Sequence, residues 1–152
     1  MSNNGNKPLQ FVLLEDDDLT ADHIEEGLLD TFGANTIVRI LRFESEFWDA
    51  FDDHCAAQPD AYIFDVRVRW TTLGPKFSPQ PNDKRDFTIA GWRCYQAVKA
   101  KNPNLHCVLF TVLDDADLRV RIGDHFIGVA HVTKSQGLDE LVAELRKILV
   151  GQ

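Results

Sequence analysis

The sequence predicts an α/β fold in which helices cover both faces of a five-stranded parallel sheet. The main observation is that short apolar runs alternate with segments of helical periodicity five times along the chain. The length of 152 residues fits one domain with a core of its own. The composition, with 44% hydrophobic and 26% charged residues, is that of a globular protein rather than a disordered one.

Five apolar runs are the predicted strands, because each is continuously apolar or rich in β-branched residues and ends at polar or turn-forming residues. They lie at residues 10–14, 36–41, 61–64, 105–110 and 128–133. Apolar residues at helical spacing predict helices over 19–32, 45–54, 89–101, 114–122 and 138–149. Asp17 or Asp18 is expected to cap the first helix, and Gly33 is expected to end it.

Two segments fall outside this alternation. Residues 1–8 are polar and end in Pro8, so we expect a loose tail before a single domain over 9–150. Residues 67–88 are rich in proline, which predicts a loop insertion. This loop is basic in an acidic chain, and we interpret it as a partner-docking surface or a lid, with a tolerated surface insertion as the alternative. Its basic residues are Arg67, Arg69, Lys76, Lys84 and Arg85.

Charge and cysteine content exclude several classes of protein. The formal charge of −8 argues against a non-specific nucleic-acid binder and against a membrane-surface binder. No apolar run approaches the roughly 18 residues of a membrane helix, and the N-terminus lacks the apolar centre of a signal peptide. The three cysteines form no C-x-x-C motif, which favours a reducing, cytoplasmic compartment.

Polar side chains follow the predicted strands, at the edge where parallel sheets bind ligands. Glu15 and Asp16 follow the first strand, Asp65 the third, Thr111 ends the fourth, and Lys134 follows the fifth. Two carboxylates ~4 Å apart repel by about 4 kcal/mol at an effective dielectric near 20, so the group needs a cation or a raised pKa. Mg²⁺ suits carboxylate and phosphate oxygens. A carboxylate beside it can accept a phosphoryl group, whose charge an ammonium and a hydroxyl would share.

The ordered pieces FVLLEDD, AYIFD, CVLFT and HVTKS resemble the receiver domain of bacterial two-component response regulators, from about residue 9 to residue 149. The resemblance implies a flavodoxin-like, doubly wound sheet with strand order 2-1-3-4-5. It also implies a Mg²⁺ cofactor and a role in phosphorelay signalling. Such a domain is not an enzyme, because it catalyses at most its own phosphorylation and dephosphorylation.

The resemblance gives each strand-end residue a role. It implies that Asp65 is the phospho-acceptor, Thr111 the switch hydroxyl and Lys134 the phosphate-contacting lysine. Asp16 corresponds to the more direct Mg²⁺ ligand of the acidic pair and Glu15 to the partner that acts through water. The set of metal ligands implied is Glu15, Asp16, Asp65 and the main-chain carbonyl of Arg67.

Other positions match the family less closely or depart from it. Gly91 resembles the glycine that opens the helix after the acceptor strand, and Asp17 would join the acidic pair if the register slipped. His131 stands at the switch aromatic, where a pH-sensitive switch and a merely exposed histidine are both open. Val112 replaces a smaller residue, and its bulk would narrow access to the phosphoryl site. Ser135 replaces the proline after Lys134, which leaves the cis or trans state of that bond open.

Three functions are compatible with these residues. The first is a stand-alone receiver that takes a phosphoryl group on Asp65 from a histidine kinase or phosphotransfer protein. It would act through another protein, with no direct nucleic-acid or membrane contact and with a homodimer left open. The second is a degenerate receiver that is never phosphorylated and serves as an interaction module. The third, an aspartyl-phosphate phosphatase, is disfavoured because Arg67 occupies the place of its usual second aspartate.

Overall fold

The computed structural model describes residues 7–71 and 79–150, so most of the predicted tail and residues 72–78 of the predicted loop lie outside the described residues. Five strands form one sheet in the order β2-β1-β3-β4-β5, and every neighbouring pair is parallel. The predicted fold class and strand order are confirmed. The strands are β1 (Gln10–Leu14), β2 (Ile37–Leu41), β3 (Ala61–Phe64), β4 (Cys107–Thr111) and β5 (Ala130–Thr133).

Six α-helices in the described part of the chain cover the two faces of the sheet. They are α1 (Asp18–Phe32), α2 (Glu44–Asp49), α3 (Phe51–Ala56), α4 (Ala90–Lys101), α5 (Asp115–Ile122) and α6 (Leu138–Val150). The first and the last helix pack on one face, and the other four pack on the opposite face. In residues 7–71 and 79–150, no helix combines the length and the apolar character that crossing a membrane requires.

The alternation of side chains along β1 shows why both faces must be covered. Phe11 and Leu13 point to the face packed by α1 and α6, whereas Val12 and Leu14 point to the face packed by α2 to α5. All four residues are buried. A strand buried on both sides reads as a continuous apolar run, which is the pattern that predicted it.

The single helix predicted over 45–54 is wrong, because the chain breaks at Ala50 into α2 and α3. Ala50 has φ −107° and ψ 13°, outside the helical region. The backbone carbonyl of Phe47 accepts a hydrogen bond from Nε2 of buried His54 at 3.1 Å, and Nδ1 of this ring lies 2.8 Å from the hydroxyl of Tyr62. Burial lowers the pKa of His54, so its ring is neutral in this network. The His54 ring therefore stabilises the break.

The three cysteines belong to the core. Cys55, Cys94 and Cys107 are all buried and free of disulfide bonds. Burial raises the pKa of the Cys94 and Cys107 thiols, which keeps them protonated and unreactive. These residues therefore act as small apolar side chains.

Candidate functional site

The ends of β1, β3 and β5 bring three predicted site residues into contact. Nζ of Lys134 donates to Oε1 of Glu15 at 2.5 Å and to Oδ2 of Asp65 at 2.9 Å. The backbone amides of both acids continue the sheet, because Glu15 donates to Leu41 O and Asp65 donates to Leu14 O, each at 3.0 Å. The sheet therefore fixes the backbone of both acids, and both residues are buried.

Asp16 completes a cluster of three carboxylates with Glu15 and Asp65. One oxygen from each of the three residues lies within 4.8 Å of the other two. Among the described residues, Oε2 of Glu15 and Oδ1 of Asp65 are buried without a hydrogen-bond partner. Buried acceptors left unpaired are unfavourable, and carboxylate oxygens are the ligands that hard divalent cations prefer. The residues present therefore fit a divalent cation such as Mg²⁺.

The ionisation of this cluster follows from burial and from the proximity of like charges. Burial and then the charge of Asp65 raise the pKa of Glu15 to about 8, and Lys134 offsets only part of this shift. Burial lowers the pKa of Lys134, but the charges of Asp65 and Glu15 outweigh that effect and raise it. Without a metal, the cluster therefore tends to hold a proton on Glu15 as well as the ammonium of Lys134.

Substitution Glu15→Gln is expected to stabilise the metal-free protein above neutral pH. The fold raises the pKa of Glu15 from its ordinary value of 4.5 to about 8. Protonation of Glu15 therefore favours the folded state, and the wild-type protein loses stability as the pH rises from 4.5 to about 8. A neutral amide avoids that loss. We expect the variant to gain about 1–2 kcal/mol of unfolding free energy near pH 8 relative to wild type.

Urea unfolding with a chelator at about pH 5 and about pH 8 measures this effect. The gain in unfolding free energy of Glu15→Gln over wild type should be smaller at about pH 5 than at about pH 8. Glu140→Gln, an exposed acid in α6, is the control and should show little change at either pH. A difference between Glu15→Gln and wild type that does not vary with pH would contradict the raised pKa.

The other acidic residues after β1 have structural roles. Oδ1 of Asp17 accepts a hydrogen bond from the backbone amide of Thr20 at 2.8 Å, which caps α1 and lowers the pKa of Asp17. Asp18 forms an ion pair with Arg42. The predicted cap is confirmed, as is Gly33 at the end of the helix, with φ 110°. The alternative in which Asp17 joins the acidic pair is not supported, because its carboxylate is used by the cap.

The predicted switch residues lie farther along the same edge of the sheet. Thr111 is fully buried, and its hydroxyl accepts a weak hydrogen bond from the amide of Leu113 at 3.4 Å. Nε2 of His131 lies 3.0 Å from the carbonyl of Leu113, and Nδ1 lies 3.2 Å from Oδ1 of Asp115. The His131 side chain is only 8% exposed, so the alternative of a merely exposed histidine is wrong. Val112, by contrast, is largely exposed.

Gly91 holds α4 against the end of β3. A Cβ atom on this glycine would lie 1.8 Å from the carbonyl oxygen of Asp65, and the amide of Gly91 donates to the carbonyl of Val66 at 2.9 Å. The next residue along the chain from Val66, Arg67, is exposed, with its guanidinium 5.8 Å from the ring centroid of Phe87. The ligand role of the Arg67 carbonyl stays a prediction. The bond after Lys134 is trans.

Arg69 makes a contact with the acidic cluster that was not predicted from the sequence. Its backbone amide and its Nε donate to Oδ2 of Asp16 at 3.0 and 3.1 Å, and a terminal nitrogen donates to the Asp16 carbonyl at 3.3 Å. The available signal was the basic character of the loop next to an acidic strand end. That signal did not say which arginine would make the contact.

The loop is anchored by a buried ion pair that was also missed from the sequence. Glu44 is fully buried, and its carboxylate accepts from Arg93 at 2.6 and 3.1 Å and from the Trp48 indole at 2.9 Å. Arg93 also donates to the carbonyls of Asp86 at 2.7 Å and Lys84 at 3.1 Å. This arginine therefore joins α4, α2 and the returning end of the loop.

The outgoing end of the loop is held by the first amides of α2. Glu44 N donates to Arg69 O at 2.9 Å, and Ser45 N donates to Trp70 O at 3.0 Å. The first amides of a helix have no partner within the helix, so these two carbonyls act as its cap. The segment 67–71 is therefore fixed between the acidic cluster and α2.

Comparison with known proteins identifies the fold. No protein-family model and no curated protein sequence matches the chain. A response regulator receiver domain protein (CheY-like) from Methanospirillum hungatei is similar in structure, with a TM-score of 0.66, 13% identity, and coverage of 95% of this chain and 96% of that one. A response regulator receiver protein from Sinorhizobium medicae has a TM-score of 0.65 and 15% identity, with coverage of 94% of this chain and 95% of that one. The beryllofluoride-activated DrrB receiver domain, from Thermotoga maritima, has a TM-score of 0.63 and 19% identity, with coverage of 94% of this chain and 98% of that one. The chain therefore has the receiver-domain fold.

Proposed function

We propose that this chain is a response regulator receiver that accepts a phosphoryl group on Asp65 and signals through protein–protein contacts. The donor would be a histidine kinase or a phosphotransfer protein. One observation carries the proposal: Asp65 ends a central strand with Oδ2 held by Lys134, while its other oxygen, Oδ1, is buried without a hydrogen-bond partner among the described residues. A carboxylate held in this way has one oxygen fixed and one available for bond formation.

The other residues of the pocket suit the charge changes of this reaction. A carboxylate oxygen of Asp65 forms a bond to phosphorus while the bond from phosphorus to the donor nitrogen breaks. Mg²⁺, held by Glu15, Asp16, Asp65 and the carbonyl of Arg67, would neutralise charge on the phosphoryl oxygens. Lys134 already lies at Asp65 and would contact one of these oxygens.

The response to phosphorylation would involve Thr111 and its neighbours. The Thr111 hydroxyl, which now accepts a long hydrogen bond from the Leu113 amide, would turn to donate its proton to a charged phosphoryl oxygen, and this rotation would disturb the bond from Leu113. The carbonyl of Leu113 accepts from His131, so a change at Leu113 would alter contacts between β5 and the turn before α5. The altered surface would select a partner protein, which makes the domain a signalling module rather than an enzyme with an external substrate.

Beryllofluoride with Mg²⁺ tests the proposal, because it mimics a phosphoryl group on a carboxylate. We expect wild-type protein to bind it with large amide shifts at Thr111 and Leu113 in NMR spectra, and Asp65→Asn to show neither binding nor shifts. Asp139→Asn, an exposed acid of α6, is the control and should behave as wild type. Mass spectrometry after incubation with a small phosphodonor should find one added phosphoryl group in wild type and in this control, and none in Asp65→Asn.

A second function is favoured by the contact between Arg69 and Asp16, which places a guanidinium on a proposed metal ligand. In that case the chain is a degenerate receiver that serves as an unphosphorylated interaction module. The absence of any Asp65-dependent binding or modification would favour it over the first proposal. Asp65-dependent turnover of phosphate esters would instead revive the phosphatase, which lacks its usual second aspartate because Arg67 stands there.

A further inference from the structure

We infer that Arg69 is an internal cation that competes with a divalent metal for Asp16, so that metal binding releases the Arg69 guanidinium from the pocket. The inference rests on the metal site of the proposed function and adds a form of regulation to it. It requires that the guanidinium occupy an oxygen that a metal would use. It also requires that the guanidinium be able to leave.

The geometry meets the first requirement. Arg69 places both its backbone amide and its Nε on the same oxygen, Oδ2 of Asp16, at 3.0 and 3.1 Å. A third bond, 3.3 Å long, reaches the Asp16 carbonyl. A metal ion bound to Oδ2 would take a position that these two N–H groups now share, and it would repel the guanidinium.

Exposure and charge balance meet the second requirement. The Arg69 side chain is 57% exposed, whereas that of Asp16 is 18% exposed, so the arginine can turn into solvent while the aspartate stays. A divalent ion would add two positive charges to a pocket that already holds Lys134 and Arg69, and of these two cations the exposed guanidinium is the one that can leave.

The release would be detectable next to Arg69. The carbonyl of Trp70 accepts from the amide of Ser45 at 3.0 Å, so a shift of Arg69 changes the surroundings of both the Trp70 indole and the start of α2. Linkage makes the coupling reciprocal: if the metal displaces Arg69, removing Arg69 must strengthen metal binding.

Metal titration of three variants tests the inference by calorimetry with MgCl₂ alone, without phosphodonor. Arg69→Gln should bind Mg²⁺ about fivefold more tightly than wild type, the effect expected of an exposed ion pair. Arg85→Gln removes the same charge from another exposed position of the loop and should bind within about twofold of wild type. Asp16→Asn should lose most of the binding. In the wild-type protein, Mg²⁺ should also shift the Arg69 Nε–H resonance.

Each outcome decides between the proposals. If Mg²⁺ binding depends on Asp16 but Arg69→Gln binds no more tightly than wild type, the inference fails and the proposed function stands. If neither wild type nor Arg69→Gln binds Mg²⁺, both the inference and the metal site of the proposed function fail. An unchanged Arg69 Nε–H resonance at saturating Mg²⁺ also overturns the inference, and this readout needs no variant. Mg²⁺ binding by Arg69→Gln but not by wild type would support the inference most strongly, because Arg69 would then block the site completely.

Discussion

Replacing Arg93 with methionine is expected to lower the free energy of unfolding by about 3–5 kcal/mol, the largest effect of any substitution considered in this protein. The physical reason is that Glu44 is completely buried and Arg93 supplies both of its charged hydrogen bonds. Without Arg93, a carboxylate stays in the core with the Trp48 indole as its remaining side-chain donor among the described residues. The carbonyls of Lys84 and Asp86 would also lose a donor.

Urea unfolding measures this effect, and two further variants make it specific. Arg39→Met removes the arginine of an exposed pair with Asp53, 2.8 Å long, and should cost less than about 1 kcal/mol. The double variant Glu44→Met/Arg93→Met should recover much of the loss, because the unpaired charge is gone. If Arg93→Met and Arg39→Met lose similar amounts, the buried pair does not stabilise the fold as proposed.

Gly91→Ala is expected to lower the free energy of unfolding by about 3 kcal/mol and to displace Asp65. The added Cβ would lie 1.8 Å from the carbonyl oxygen and 2.7 Å from the carbonyl carbon of Asp65, so the backbone itself must move. Because the displaced carbonyl belongs to Asp65, the carboxylate should also move away from Lys134. Urea unfolding and Mg²⁺ titration should therefore both be affected.

Gly27→Ala is the matched control, since Gly27 also lies inside a helix. Its Cβ would meet only side-chain atoms of Leu138, the nearest at 2.2 Å, and a side chain can rotate where a backbone cannot. The better helix propensity of alanine, about 1 kcal/mol, offsets part of the clash. Equal losses in the two variants, or normal Mg²⁺ binding by Gly91→Ala, would contradict the role given to Gly91.

The fold and the centre of the candidate site could be predicted because both depend on local sequence. Each predicted strand reads as an apolar run, and the run ends where a polar residue such as Asp65 meets the edge of the sheet. Parallel strands bring those ends together whatever the helices between them do. For that reason Glu15 and Lys134, which are 119 residues apart, could be placed in one pocket from sequence alone.

The contacts of the loop could not be predicted, because they depend on the path of an irregular segment that has no strand or helix periodicity. Arg69 and Asp16 are 53 residues apart, and Arg93 and Glu44 are 49 apart, with no strand to fix either pair in register. The break at Ala50 was missed for a similar reason. The apolar spacing through Phe47 and Phe51 continues across it, and this spacing does not show that the His54 ring donates to the carbonyl of Phe47.

The two hydrogen bonds from the start of α2 to the segment 67–71 have a mechanical consequence. The amides of Glu44 and Ser45 find acceptors in the carbonyls of Arg69 and Trp70. If the segment shifted alone, both donors would lose their acceptors at a helix end. A shift of Arg69 and Trp70 should therefore be transmitted directly to the start of α2.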